Sequence, residues 1–166
     1  ARGATIYAEV AGAAMTADAY HITATHPEGL GAAEGMRRAL KDGELNPEDV
    51  DHMNMHATST PVGDISELKA IKSVYGKTNK SLKITATKSV TGHLMGAAGA
   101  AEAISSIKSI TDGVIPGTIN TENVDPELPT DMNIIFGDSV ETTVDVAMSN
   151  TFGFGGHNGI VVFKKV

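Results

Sequence analysis

Residues 82–111 read LKITATKSVTGHLMGAAGAAEAISSIKSIT, which is a short apolar strand, a polar turn and a long helical segment in succession. The pattern predicts a strand over 82–85 and a helix from Thr91 to about Thr111. A strand that passes through a polar turn into a helix is typical of α/β proteins, in which helices cover the faces of a sheet. The stretch therefore predicts an α/β fold.

Alternating strand and helix patterns continue on both sides of this stretch. Before it, the residues predict strands over 5–10 and 50–56 and helices over 28–41 and 64–75. After it, an irregular connection over 112–131 leads to predicted strands over 132–136, 140–148 and 160–163. This order predicts a three-layer α/β domain with a mixed, five-stranded sheet, and no linker divides residues 1–166 into two domains.

The composition excludes several classes of function. The 166 residues carry 13 Lys and Arg against 20 Asp and Glu, and the net charge of −7 argues against nucleic acid as a partner. No cysteine is present, so the chain has no disulfide, no thiolate metal site and no cysteine nucleophile of its own. No apolar stretch reaches the ~18 residues of a membrane-spanning helix. The first residues lack a Met and a leader sequence, which indicates a chain that starts inside a larger protein.

A first polar cluster, residues 56–61, directly follows a predicted strand and contains His56, Thr58 and Thr60. Ligands of α/β sheets gather at the carboxyl ends of strands, so the imidazole and the two hydroxyls are well placed to meet a substrate. Taken alone, the cluster fits equally a strand end whose side chains satisfy nearby backbone groups. The histidines of the chain lack metal-ligand spacing, so no metal site is expected. Asp64, three residues after Pro61, is expected at the start of a helix.

A second polar cluster joins the strand to the long helix and contains Lys88 and His93. His93 is expected in the first helical turn, where the helix dipole disfavours a charged imidazole and a neutral ring can donate to a developing oxyanion. Glu102 lies among small residues further along the helix and needs a partner, for which Lys88 is the obvious candidate. Lys88 and Glu102 can form a structural ion pair in a packed core and also belong to a functional site.

The third candidate is the glycine-rich segment 152–158, which separates two apolar strands. Its three glycines allow a tight turn and bring backbone N–H groups close to a ligand, although a plain hairpin turn explains them as well. No helix follows the glycines, so the segment is not a dinucleotide-binding fingerprint.

Taken together, three segments resemble the β-ketoacyl-acyl-carrier-protein synthases, most closely the elongating type II enzymes of bacterial fatty acid synthesis. The segments are residues 56–64, 88–99 and 150–158, and residues 2–9 and 18–21 are also similar to that family. The resemblance extends over essentially the whole chain but covers only the C-terminal half of such an enzyme.

The resemblance implies a thiolase-like fold, of which residues 1–166 form the C-terminal domain, in a cytosolic enzyme that is usually dimeric. It implies decarboxylative Claisen condensation of an acyl-enzyme with malonyl groups held on acyl carrier protein, with no diffusible cofactor and no metal. The residues that it implicates in catalysis are His56, His93, Lys88 and Phe154. Those that it implicates in substrate binding are Thr58, Thr60, Phe152 and Gly153, and Glu102 and Asp64 would support the site.

The paired histidines also distinguish between the classes of enzyme within this superfamily. Thiolases place a second cysteine in this half, and initiating synthases resemble a Cys-His-Asn arrangement that does not fit the segment ending in His93. Polyketide ketosynthases share the same set of residues and are the nearest alternative. A non-catalytic partner subunit is a third possibility, against which the joint presence of His56, Lys88 and His93 argues.

Two departures from the family carry predictions. Ala57 replaces the glycine that normally follows the first histidine, so the added methyl group strains the backbone if φ is positive there. The nucleophilic cysteine of the family belongs to the other half, and without a thiolate no acyl-enzyme forms. We therefore expect this chain alone to be inactive in condensation and to depend on its missing half.

Overall fold

The computed structural model describes residues 2–76 and 81–166. Its strands are β1 (Glu9–Ala17), β2 (His52–Asn54), β3 (Lys83–Thr85), β4 (Val114–Ile115), β5 (Val140–Glu141), β6 (Val146–Gly153) and β7 (His157–Lys164). Its helices are α1 (Leu30–Asp42), α2 (Gly63–Tyr75), α3 (Lys88–Thr91) and α4 (Ala98–Asp112). Single 3₁₀ turns lie at Pro47–Asp49 and Met95–Ala97. No helix in the described part of the chain is long and apolar enough to cross a bilayer.

Five strands form one mixed sheet, as the sequence predicted, and their order is β1-β7-β6-β2-β3. β7 pairs antiparallel with both β1 and β6, whereas β2 lies parallel to β6 on one side and to β3 on the other. The short strands β4 and β5 form a separate antiparallel pair. This topology places β2 between β6 and the edge strand β3, and because β2 and β3 are parallel, the loops that follow them leave the same edge of the sheet.

Helices cover the two faces of the sheet because side chains alternate along each strand. Met148 of β6 joins the core cluster that α1 and α2 build with Met36 and Ile71. Its neighbour Ala147 points to the opposite face and packs in the cluster that contains Ile110 of α4. The layers are therefore helices, sheet and helix, which agrees with the predicted three-layer arrangement.

The first predicted strand, residues 5–10, is wrong in its position. Only its last two residues lie in β1, which continues through the small residues up to Ala17. No strand is predicted over the glycine- and alanine-rich residues 11–17, but the close packing of α1 on β1 requires small side chains. A Cβ at Gly12 would stand 2.3 Å from the carbonyl oxygen of Ala39 in α1. Tertiary packing thus explains a strand that local preference does not predict.

The single long helix predicted from Thr91 is also wrong. The chain forms one turn, α3, then leaves helical geometry at Gly92 with φ of 69°, and α4 begins only at Ala98. His93 therefore lies in an irregular turn between helices and not in a first helical turn.

The C-terminal strand predictions are corrected in part. Residues 132–136 form only isolated bridges, Ile84 with Ile134 and Thr118 with Phe136. The predicted strand 140–148 is divided between β5 and β6. The predicted hairpin of two apolar strands around the glycine-rich segment is confirmed as β6 and β7.

Candidate active site

His56 leaves the end of β2 through a turn that a buried carboxylate holds. Glu67 of α2 accepts the backbone N–H groups of His56 and Ala57, each at 2.9 Å, on its two oxygens. The side-chain amide of Asn150 in β6 donates a third hydrogen bond to Glu67 at 3.0 Å. Burial raises the pKa of Glu67 to about 7, against the lowering effect of these donors.

The sequence analysis missed Glu67, although a signal for it exists. Glu67 lies four residues before Ile71 and one residue before Leu68, both of which are buried on the apolar face of α2. A carboxylate on the core face of an amphipathic helix needs partners, so its position indicates a role.

Ala57 has a positive φ of 22°. Backbone strain from its methyl group was expected if φ were positive here, and this condition is met. Its methyl group also packs against the main core cluster. The turn after His56 is thus held in a conformation that an L-residue adopts at a cost, with Glu67 supplying the compensating hydrogen bonds.

The two predicted histidines meet edge to face. The ring centroids of His56 and His93 are 5.5 Å apart with an interplanar angle of 89°, and the ring of Phe152 lies 5.4 Å from that of His56. Burial, with the nearby charges of Lys88 and His93, lowers the pKa of His56 to about 3, so its imidazole is neutral at neutral pH. Met95 donates its backbone N–H to Nδ1 of His93 at 3.3 Å, which in the neutral ring leaves the proton on Nε2.

The predicted pairing of Lys88 with Glu102 is confirmed. Nζ of Lys88 donates to Glu102, and both side chains are almost completely buried. The hydroxyl of Thr151 donates to the second oxygen of Glu102 at 3.4 Å. Burial raises the pKa of Glu102, and the bond from Lys88 opposes that rise. The ion pair therefore lies between α3 and α4, directly behind the segment that leads to His93.

A cavity of about 670 Å³ opens in front of this segment. Thr58, Thr60, Asp64, Lys88 and His93 line it, and residues from 118–128 form the facing wall. Asp64, in the first turn of α2 as predicted, accepts the backbone N–H groups of Ser59 and Thr60 at 3.1 and 3.4 Å. Burial raises the pKa of Asp64, against these two hydrogen bonds. The hydroxyls of the first polar cluster thus face the same space as the histidine of the second.

The hairpin between β6 and β7 stands apart from the cavity. Gly153 and Phe154 do not line it, and the ring of Phe154 is 78% exposed. The turn needs glycine, because Gly155 and Gly156 have φ of 85° and 74°. A Cβ there would stand 2.9 Å from the His157 ring and 3.0 Å from Asp18, respectively.

The loop after β1 fastens this hairpin from the other side. Gly155 donates its N–H to the carbonyl of Ile22 at 2.7 Å, and Asp18 donates its N–H to the carbonyl of Gly156 at 2.8 Å. Of the predicted site residues in the hairpin, only Phe152 contacts a histidine through its ring.

Within residues 2–76 and 81–166, no group of three or more His, Asp and Glu side chains is placed to hold a metal ion.

Comparison with known families matches residues 7–122 to the C-terminal domain of β-ketoacyl synthases. Among curated proteins, 3-oxoacyl-[acyl-carrier-protein] synthase 2 of Staphylococcus aureus (strain COL) is 50% identical over 165 residues, which are 99% of this chain and 39% of that protein. The enzyme of the same name from Synechocystis sp. (strain ATCC 27184 / PCC 6803 / Kazusa) gives the same identity and the same coverage. The chain thus spans about two fifths of the length of these relatives.

Solved structures agree with this match. A β-ketoacyl synthase from Burkholderia phymatum STM815 superposes with a TM-score of 0.90 at 35% identity, covering 99% of this chain and 39% of that one. A ketosynthase in complex with its type II polyketide acyl-carrier protein, AntDE:AntF, superposes with a TM-score of 0.93 at 34% identity and covers 99% and 40%. The fold is therefore thiolase-like, and the chain belongs to the β-ketoacyl synthase family, of which it represents the C-terminal domain.

Proposed function

We propose that residues 1–166 are the C-terminal domain of a 3-oxoacyl-[acyl-carrier-protein] synthase that elongates fatty acids. The observation that carries the proposal is the edge-to-face pair of His56 and His93 beside the buried Lys88–Glu102 ion pair. The 50% identity to synthases of this name supports fatty acid elongation over the polyketide alternative, whose solved relatives reach 34–37%.

The reaction is a decarboxylative Claisen condensation. The bond between the malonyl carboxylate and Cα breaks, carbon dioxide leaves, and the electron pair of that bond becomes an enolate on the malonyl thioester. The enolate carbon then attacks an acyl thioester carried by a cysteine of the preceding half, and the cysteine thiolate leaves. The product is a 3-oxoacyl thioester on acyl carrier protein, two carbons longer than the acyl group.

In this reaction the two imidazoles stabilise the enolate oxygen by donating hydrogen bonds to it. The low pKa of His56 keeps its ring neutral, and a neutral imidazole retains one N–H with which to donate. Nε2 of His93 is the donor on the other ring, because its Nδ1 is already an acceptor. Lys88, held by Glu102, supplies a fixed positive charge near the developing anion.

The remaining residues position the substrate. The hydroxyls of Thr58 and Thr60 contact the pantetheine arm in the cavity, and Asp64 holds the loop that carries them. At the hairpin, the backbone N–H of Phe154 completes the oxyanion hole for the acyl group and its ring gates the acyl pocket. Phe152 and Gly153 form the adjoining wall of the substrate site.

We further propose that the enzyme is a cytoplasmic homodimer and that its partner is the acidic acyl carrier protein. A structural relative that contains a ketosynthase with its acyl-carrier protein supports this partner. Large apolar side chains on the surface support a covering by the N-terminal half, since Met15, Met95 and Ile104 are 86%, 76% and 63% exposed.

The two half-reactions of the full-length synthase test the proposal. In His56→Ala and in His93→Ala we expect decarboxylation of malonyl groups on carrier protein to fall by about 10²–10³-fold, the usual cost of one lost oxyanion donor. Acylation of the cysteine, measured by intact mass, is expected to continue in both variants and serves as the internal control. Undiminished decarboxylation in both variants contradicts the assignment.

A further inference from the structure

The helical turn between Lys88 and His93 is too short to satisfy its own carbonyl groups. Helix ends leave their last carbonyls without intrahelical partners, and in α3 only Gly92 closes back onto Lys88, at 2.9 Å. The next carbonyl, that of Ser89, accepts the side-chain amide of Asn120 at 2.9 Å. A residue 31 positions further along the chain therefore caps the end of the turn.

Further hydrogen bonds fasten the same two segments. The N–H of Ile119 donates to the hydroxyl of Ser89 at 3.1 Å, and that hydroxyl donates to the carbonyl of Ala86 at 2.7 Å. The N–H of Ala86 in turn donates to the hydroxyl of Thr118 at 3.0 Å. Residues 118–120 thus bind the outer side of the turn, while Asn54 of β2 accepts two hydrogen bonds from Thr87 on its inner side.

Asn120 itself is anchored well enough to act as a fixed point. Thr118, two residues before it, exchanges backbone hydrogen bonds of 2.9 and 2.8 Å with Ile135 and Gly137. Ile135 continues this attachment into the sheet by donating to the carbonyl of Ile84 in β3 at 2.9 Å. The backbone of Asn120 has a φ of 59°, a conformation that asparagine tolerates better than most residues.

We propose that Asn120 is a positioning residue for the decarboxylation half-reaction, an inference that rests on the proposed function. By capping α3, Asn120 fixes the end of the helical turn that leads to His93. It thereby also fixes the distance between His93 and His56. Lys88 at the start of the turn is already held by Glu102, so a loose end moves His93 relative to Lys88.

Three variants of the full-length synthase test this role. Asn120→Gly keeps the left-handed backbone without the amide, and Asn120→Asp keeps the shape but presents oxygen to the Ser89 carbonyl. Asn133→Ala is the matched control, since Asn133 is an exposed asparagine outside the cavity lining whose backbone carbonyl, and not its side chain, accepts the N–H of Ile84. Each variant is assayed for malonyl decarboxylation, for acylation of the cysteine and for melting temperature.

We expect kcat for decarboxylation to fall about 10-fold in both Asn120 variants, with KM for malonyl-carrier protein within about twofold of the wild type. Acylation of the cysteine and the activity of Asn133→Ala are expected to stay at wild-type values. Unchanged kcat overturns the inference, and so does an equal loss in both half-reactions together with a lower melting temperature. Wild-type protein without decarboxylase activity instead overturns the proposed function and this inference with it.

Discussion

Glu67 accepts the backbone N–H of His56 at 2.9 Å, so a carboxylate in the core of the domain holds the backbone of a histidine whose ring meets that of His93. The contact passes through the backbone and leaves the ring of His56 free to meet His93. The protonation state of Glu67 also affects the geometry of the site, because only the ionised carboxylate accepts hydrogen bonds equally on both oxygens.

Replacement of Glu67 by glutamine is expected to change how stability depends on pH. Burial raises the pKa of Glu67 to about 7 from an unfolded value near 4.5, so the folded state binds the proton more tightly. Its favourable contribution is complete below pH 4.5 and is lost as pH rises to 7. The free energy of unfolding of the wild type should therefore fall relative to Glu67→Gln by about 3 kcal/mol over this window. Urea unfolding at several pH values measures it, and parallel curves contradict it.

Ala57→Gly is expected to stabilise the protein by up to about 1 kcal/mol. An L-residue at positive φ costs about 1–2 kcal/mol, which exceeds the backbone entropy of roughly 0.5–1 kcal/mol that glycine loses on folding. Ala33→Gly in α1 is the control, since Ala33 is buried in an ordinary helix and its replacement should destabilise. Thermal unfolding of both variants gives the comparison, and loss of stability in both excludes strain at Ala57.

The Lys88–Glu102 pair should behave as a coupled unit. Lys88→Met leaves a buried carboxylate without its cation, and Glu102→Leu leaves a buried ammonium, so each is expected to cost about 3–5 kcal/mol. The double variant should cost less than either single change, since it leaves no unpaired charge. Denaturant unfolding of all four proteins completes the double-mutant cycle, and additive costs would show that the two side chains are independent.

The isolated chain is expected not to form an acyl-enzyme. It contains no cysteine, so acyl-carrier protein or an acyl thioester should leave its mass unchanged. Intact mass spectrometry, or transfer of a radiolabelled acyl group, measures the result, with the full-length synthase as the positive control. Covalent acylation of the chain alone would show that another nucleophile serves the reaction.

The features predicted correctly from the sequence are those for which a local sequence pattern agrees with a chemical requirement, such as the need of a buried charge for a partner. Lys88 and Glu102 are charged residues near small, buried ones, and the need for a partner predicts their pairing without knowledge of the fold. The hairpin of β6 and β7 follows from two apolar runs around glycines. By contrast, most of β1 is not predicted as a strand, because its small residues suit the packing of α1 and have little strand preference of their own.

Other features depend on contacts between distant segments. His93 lies outside a helix because Gly92 and Met95 adopt positive φ, which no periodicity in the sequence reveals. Asn120 reaches α3 across 31 positions of chain, and its segment contains no regular element that would indicate a partner. Such long-range hydrogen bonds join the walls of the site, so a reading of neighbouring residues cannot identify them.

Neighbouring positions at the tip of the β6–β7 hairpin differ in how well they tolerate substitution. Gly155 and Gly156 have no room for a side chain, so nearly every substitution there should disturb the fold before it alters activity. Phe154, one position earlier, is 78% exposed in this chain, so its ring can be exchanged without disturbing the turn. Position 154 can therefore be varied at little cost in stability, so a change in activity there would report on the proposed gating role of the ring and not on a loss of fold.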